Sequence, residues 1–325
     1  MNYCNSFIKN FIHPQIEFTY LFISLYDSTV QSPEKSKSRI ILGGGSFLDI
    51  EPKELEKLLT VAAELEIDRI DTAPTYGNSE KVIGQVAQHC GRFHISTKIW
   101  HKDPSQIDER YVFDSIKNSL QALNIGSVET IYLHSLEPKL IKAHTYRALL
   151  KVKNEGFTRN IGVSSDGKFL QFYYSLGIFD TFMATLNLVD QANFTLLDRI
   201  SKHQNLKVVT KRSIANGVWR KDLVGRYIRI YDILFNSSVA KSEYSYQSRH
   251  KLLSRSWGSA LSHEEYYKFA FLWNRTTNVV IGTRKVSHLK ISRDRELSYA
   301  DPTLQVKYLR DLWLQNYNSL WSPLT

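Results

Sequence analysis

From Arg39 onward the chain alternates between short apolar runs of strand length and longer stretches whose apolar residues recur at helical spacing. RIILG at 39–43 reads as a strand, after which Leu55, Leu58, Leu59, Ala62 and Leu65 mark one face of an amphipathic helix. DRIDT predicts the second strand and a helix starts near Ser79; FHISTKI predicts the third strand, and Val112, Ile116, Leu120 and Leu123 line the next helix. ETIYLH predicts the fourth strand, followed by the helical stretch TYRALLKVKNEG, which stops at Gly156 where a C-cap glycine belongs. RNIGVSS, TFMATLNL, LKVVT and NVVIG supply strands five to eight, with helical stretches between them. This alternation predicts an α/β fold, a (β/α)8 TIM barrel, rather than an open doubly wound sheet. The interval from Thr210 to Asn278 is far longer than one βα unit needs. A long insertion after strand 7 is therefore expected, lying as a loop over the barrel mouth. Ahead of the barrel, residues 1–37 run into the polar linker QSPEKSKS, so they read as an N-terminal extension to a barrel spanning 38–325.

Composition changes this picture little. The chain has 325 residues, 42% of them hydrophobic, enough to bury a full core. Cys4 and Cys90 are too few and too far apart for a disulfide framework or a thiolate metal site, so no metal is expected and a reducing, cytoplasmic setting is the simple reading. FTYLFISLY at 18–26 is too short to span a membrane, and His13, Pro14 and Glu17 interrupt any signal-peptide pattern. The net charge of +10 concentrates between Arg199 and Arg255, where 13 Lys/Arg face 3 Asp/Glu. That stretch fits no helix-turn-helix, RNP or zinc-finger pattern, so it reads as solvated surface beside an anionic small molecule and no nucleic-acid partner is expected.

Functional groups of such a barrel belong at the C-terminal ends of its strands. Asp71 ends the second strand, Tyr76 lies in the turn after it, Lys98 ends the third and His134 the fourth. A phenol is a poor acid at neutral pH, but a nearby ammonium stabilises the phenolate and makes the phenol more acidic. Lys98 is the available cation, Asp71 can hold it charged, His134 can hydrogen-bond a substrate oxygen, and Tyr76 can then act as a general acid. Each residue alone has an innocent reading as a cap, packing residue, snorkelling lysine or core histidine. Four at consecutive strand ends argue against coincidence.

RIDTAPTYGNSEKVIG, ISTKI, IYLHS, RNIGVSS and VVIGTRKVSHL, in this order and spacing, resemble the aldo-keto reductase family from about Arg39 to about Ser292. The resemblance implies a barrel that binds NADP(H), with NAD(H) as the alternative, without a Rossmann domain. It places the catalytic set on Asp71, Tyr76, Lys98 and His134. For the cofactor it implies Gly45 and Ser46 near the nicotinamide, and Ser164 and Ser165 at the carboxamide. Asn187 falls in the sixth-strand motif, and Lys211, Arg212 and Ser213 fall in the loop along the pyrophosphate. Gly282, Thr283, Arg284, Lys285 and His288 fall at the adenosine phosphate. Arg284 and Lys285 suit a 2′-phosphate, which favours NADP. The chain departs from the family pattern at Met183, Lys211, Ser213 and Ser292, which stand where a glutamine, an aromatic residue, a proline and an asparagine are usual. The implied function is an oxidoreductase acting on a small aldehyde, ketone or sugar. The alternative is a nucleotide-binding regulatory or redox-sensing protein with little turnover.

Overall fold

In the computed structural model, residues 37–219, 238–258, 260–274, 277–299 and 303–316 are described. The expected N-terminal extension therefore lies, apart from Lys37, outside the described residues. Eight parallel strands close a barrel in chain order: β1 Ile40–Gly43, β2 Arg69–Asp71, β3 His94–Ile99, β4 Val128–His134, β5 Thr158–Ser164, β6 Thr181–Thr185, β7 Lys207–Lys211 and β8 Asn278–Ile281. The helices are α1 Pro52–Glu64, α2 Ser79–Cys90, α3 Glu109–Leu123, α4 Ala143–Asn154, α5 Gly167–Ser175, α6 Phe194–Ser201, α7 Ser238–Trp257, α8 His263–Leu272, α9 Val286–Ser298 and α10 Thr303–Asn316. The expected (β/α)8 barrel is the fold observed. Among the described residues no helix is long and apolar enough to cross a membrane.

Alternation along each strand divides the core in two. Ile40, Leu42, Ile70, Ile131, Leu133, Ile161, Val163 and Phe182 pack against helix faces such as Leu55, Leu58, Leu59 and Ala62 of α1. Ile41, Tyr132, Met183 and Val209, from four different strands, form a separate cluster. Its members alternate with those helix-facing residues, which puts them inside the barrel. Gly162 makes room for this layer: a Cβ there would lie 2.6 Å from Tyr132 Cδ1 and 2.9 Å from the Thr181 carbonyl. The barrel closes between β1 and β8, with Ile40 opposite Val279. At the entry to β1, half-buried Glu296 of α9 accepts from Arg39 N at 2.6 Å, Ser38 Oγ at 2.7 Å and Arg293 Nη1 at 2.7 Å.

Two sequence readings need correction. TFMATLNL does not continue as a strand beyond Thr185, because Asp166 Oδ1 takes the Thr185 N–H at 2.6 Å and the chain turns into a bridge between Asn187 and Asp190. The long segment after β7 is also not merely a loop, since its described part is helical. α8 buries Tyr266, Tyr267, Phe269, Ala270, Phe271 and Leu272. This near-continuous apolar run has no helical stripe, which hid the helix in the sequence. α7 is fastened near the end of β6: Arg249 Nη1 donates to the Val189 carbonyl at 3.2 Å, and its guanidinium lies over the Trp313 ring of α10. Trp219 packs on Tyr266 with ring centroids 5.0 Å apart, and Trp273 on Phe194 at 5.8 Å. Both therefore pack the segment between β7 and β8.

Because Tyr132 has no flexible end to move aside, Gly162→Ala is expected to lower stability by about 1–3 kcal/mol in urea unfolding. Tyr132→Leu should absorb part of that cost, so the double mutant will be less destabilised than the sum of the singles. Strict additivity would mean that the barrel interior is not the source of the constraint.

Candidate active site

Asp71 reaches the barrel mouth as the last residue of β2, in register with Gly43 and Ser96. The next residue, Thr72, continues the pairing through its N–H to the Ser96 carbonyl at 2.8 Å. The chain then folds back on itself. Tyr76 N–H bonds the Ala73 carbonyl at 3.0 Å, and the Asn78 N–H reaches the Leu48 carbonyl at 3.2 Å. Gly77 has φ +55°, and a Cβ on it would lie 2.8 Å from that same carbonyl, so the turn requires glycine. The five-residue spacing of Asp71 and Tyr76 is thus a strand end followed by a tight turn, which swings the phenol ring back beside Lys98, the partner of that carboxylate. α2 begins immediately after, and its Ser79 and Glu80 are buried; Ser79 Oγ lies 2.9 Å from Thr72 Oγ1, and Glu80 accepts from Thr97 Oγ1 at 2.5 Å.

Lys98, one residue before the end of β3, is 1% exposed. Its Nζ donates to Asp71 Oδ2 at 2.7 Å and to the Thr72 carbonyl at 2.6 Å, and it stands 4.9 Å from the centre of the Tyr76 ring. Burial alone would depress this amine, but Asp71 and Tyr76 beside it more than offset that and hold it above its ordinary value. Burial pushes the Asp71 carboxyl up as well, against the pull of Lys98, so the ammonium is the firmer charge of the pair. His134 ends β4 and meets Tyr76 edge to face, ring centroids 5.9 Å apart. Its Nδ1 is buried without a hydrogen-bond partner, as is Asp71 Oδ1. Burial, with repulsion from Lys98, Lys211 and Arg212, pushes the imidazole down to about 2, so it is neutral. The four residues singled out from strand ends therefore share one cleft.

Around them the other expected residues divide. Gly45 faces the Tyr76 ring, which a Cβ there would meet at 3.8 Å. Ser164 sits opposite His134 in the β4–β5 ladder, and its Oγ accepts from Lys211 Nζ at 3.3 Å. Ser46 Oγ ties the first loop to the last, with Gly43 and Thr283 carbonyls at 2.7 and 3.3 Å. Ser165 is buried and donates its N–H to the Met183 carbonyl. Asn187 Nδ2 donates to the Arg212 carbonyl at 3.0 Å, and Ser213 Oγ to the Thr210 carbonyl at 2.9 Å, so both shape the loops. Thr283 Oγ1 accepts from the Lys285 N–H at 3.1 Å and lies 3.4 Å from His288 Nδ1, at the start of α9, with Gly282 just before it at the end of β8. Arg284 turns elsewhere: its guanidinium bonds Asp49 at 2.8 Å and Glu54 at 2.9 Å.

Of the departures from the family pattern, Met183 is in the barrel interior and Ser292 is fully buried, its Oγ donating to the His288 carbonyl and lying 3.1 Å from Tyr267 Oη. Sequence reasoning missed Asp166, whose carboxylate accepts from Thr185, Asn193 and Lys211. Its one signal was an acid directly after the Ser164–Ser165 pair. It also missed Asp49 and Glu54, which show nothing in sequence beyond ordinary helix-entry acidity.

The neutral His134 has a consequence for stability. The unfolded chain takes up that proton near 6.5, whereas the folded state does not until about 2. Between those values the unfolded state binds more protons, so stability falls as pH drops below about 6.5. The loss of stability from pH 7 to pH 5 in urea titrations should shrink by up to about 2 kcal/mol in His134→Gln. An unchanged slope would place the histidine in contact with solvent.

Residues 39–221 match the family model of the Aldo/keto reductase family. The chain is 24% identical over 326 residues to D-arabinose 1-dehydrogenase of Saccharomyces cerevisiae, covering 88% of this chain and 94% of that protein. It is 34% identical to methylglyoxal reductase DkgB of Escherichia coli O157:H7 over 110 residues, 32% of this chain and 40% of that protein. Among solved structures, an aldo-keto reductase from Bacillus halodurans in its holo form superposes with a TM-score of 0.66 at 20% identity, covering 84% of this chain and 91% of that one. Glycerol dehydrogenase from Gluconobacter oxydans gives a TM-score of 0.62 at 19% identity, covering 86% and 92%. With its closed barrel and a family match that spans more than half its length, the chain belongs to the aldo/keto reductase family of oxidoreductases.

Proposed function

We propose that the chain moves a hydride between NADP(H) and the carbonyl or alcohol of a small aldehyde, ketone or sugar, with Tyr76 as general acid and base. The observation that carries this reading is the buried Lys98 ammonium, fixed by Asp71 and the Thr72 carbonyl beside the Tyr76 ring. A charge so placed stabilises the phenolate that remains once Tyr76 has given its proton away. Asp71 keeps the ammonium in place. The neutral His134 can donate one ring N–H to the same substrate oxygen without competing as an acid. In the reverse direction the phenolate takes the alcohol proton back.

Bound NADPH would supply the hydride, and the residues present suit it. His134 Nδ1 and Asp71 Oδ1 are buried polar atoms without protein partners at the cleft. Lys211, Arg212, Arg284 and Lys285 crowd the ends of β7 and β8, a cationic set for a polyanion. Gly45, Ser46, Ser164 and Ser165 would flank the nicotinamide end, with Asn187 shaping the loop of Lys211, Arg212 and Ser213. Gly282, Thr283, Arg284, Lys285 and His288 would hold the adenosine end. Since Arg284 is already shared between Asp49 and Glu54, Lys285 is the stronger candidate for a 2′-phosphate. The likeness to D-arabinose 1-dehydrogenase over most of both chains makes sugars the first substrates to try.

Purified protein given NADPH and a panel of aldehydes, ketones and sugars should consume the reduced nicotinamide absorbance. Tyr76→Phe should abolish turnover with little change in NADPH affinity, and NADPH binding without turnover on any substrate would favour a sensor. Lys285→Met is expected to weaken NADPH binding on the order of ten-fold while leaving NADH binding nearly unchanged. Equal losses for both nucleotides would move the 2′-phosphate contact elsewhere.

A further inference from the structure

A second ion pair, with a half-buried lysine and a buried carboxylate, lies beside the first, and the acid–base chemistry of Tyr76 does not call for it. Lys211 ends β7 with its Nζ 3.2 Å from Asp166 Oδ2 and 3.3 Å from Ser164 Oγ. Ser164 is the direct neighbour of His134 across the β4–β5 ladder, so this ammonium stands at the edge of the reaction cleft. The pair cannot drift. Asp166 Oδ1 accepts from Thr185 N at 2.6 Å and Asn193 Nδ2 at 2.8 Å, Oδ2 accepts from Thr185 Oγ1 at 3.1 Å, and the side chain is 1% exposed. The charged groups acting on the neighbouring His134 are Lys98, Lys211 and Arg212, all cations. Asp166 balances the charge of Lys211 overall, but it is the ammonium end of the pair that meets Ser164, so the positive end is the one turned toward the cleft.

A carbonyl whose oxygen meets Tyr76 and His134 can receive a hydride only from a donor within about 3–3.5 Å of its carbon. The reactive ring must therefore enter this same cleft. Oxidised nicotinamide carries a positive charge on that ring and reduced nicotinamide carries none. A fixed ammonium nearby disfavours the first and leaves the second almost untouched.

We infer that Lys211, anchored by Asp166 and Ser164, acts as a selector of redox state, making the cleft hold reduced nicotinamide more tightly than oxidised. The inference rests on the nicotinamide reading above. It has a directional consequence: raising the free energy of the oxidised complex tilts the equilibrium on the protein toward carbonyl and reduced cofactor, and it hastens release of oxidised cofactor after a reduction.

The test is a pair of equilibrium titrations, NADPH and NADP+, on wild type, Lys211→Gln and Lys211→Arg, followed by protein fluorescence. Wild type should bind NADPH on the order of ten-fold or more tighter than NADP+. Lys211→Gln, which keeps a hydrogen bond to Asp166 but loses the charge, should narrow that ratio several-fold, chiefly by tightening NADP+. Lys211→Arg should retain it. Equal affinities in wild type overturn the inference whether or not the variants fold. Parallel losses for both nucleotides in Lys211→Gln also overturn it, since they indicate a contact with phosphate or a purely structural role. If wild type binds neither nucleotide, the nicotinamide reading itself fails, an outcome distinct from binding with an unselective ratio.

Discussion

The candidate site depends on one buried contact, the 2.7 Å pairing of Lys98 with Asp71. Both side chains are almost fully removed from water, at 1% and 6% exposure. A charge so placed is tolerable only with a partner, and removing one member of such a pair costs roughly 3–5 kcal/mol because the other is left uncompensated. The barrel meets this condition by aligning the ends of β2 and β3, and the Thr72 carbonyl takes a second ammonium proton. The same ammonium lies 4.9 Å from the centre of the Tyr76 ring, so the pair also fixes what stands beside the phenol.

The surrounding structure serves to keep that contact in place. Gly77 lets the turn approach the Leu48 carbonyl, Ser79 and Thr72 share a buried hydrogen bond, and Glu80 accepts from Thr97 of β3. These tie the loop that carries Tyr76 to the strand that carries Lys98. Below them, Gly162 admits the Tyr132 ring to the barrel interior, which fills the space under the cleft and keeps water from it. Met183 belongs to this filling. A methionine at that position is therefore explained by packing as well as by loss of a polar contact.

The electrostatics of the cleft are graded rather than uniform. Lys98 is paired deep in the strand ends, Lys211 is paired at the rim with Asp166, and Arg284 is paired outside with Asp49 and Glu54. Each cation has a local acid that fixes its position. The acids come from three different parts of the chain, and only folding brings them beside their partners.

The order of apolar runs determined the barrel, because strands buried on both faces and helices buried on one leave distinct periodicities. The positions of Asp71, Tyr76, Lys98 and His134 were legible for a related reason: titratable side chains at or just past the C-terminal ends of apolar strands stand out against the runs before them. α8 was not legible, since its run from Tyr266 to Trp273 is apolar on nearly every side. The premature end of β6 was hidden too, because it depends on Asp166 capturing the Thr185 N–H from another loop. The pairing of Lys211 with Asp166, the diversion of Arg284 to Asp49 and Glu54, and the neutral state of His134 were likewise decided only by the tertiary structure. Burial and charge neighbours are properties of a place in space, and residues separated by tens or hundreds of positions reach that place only when the barrel closes.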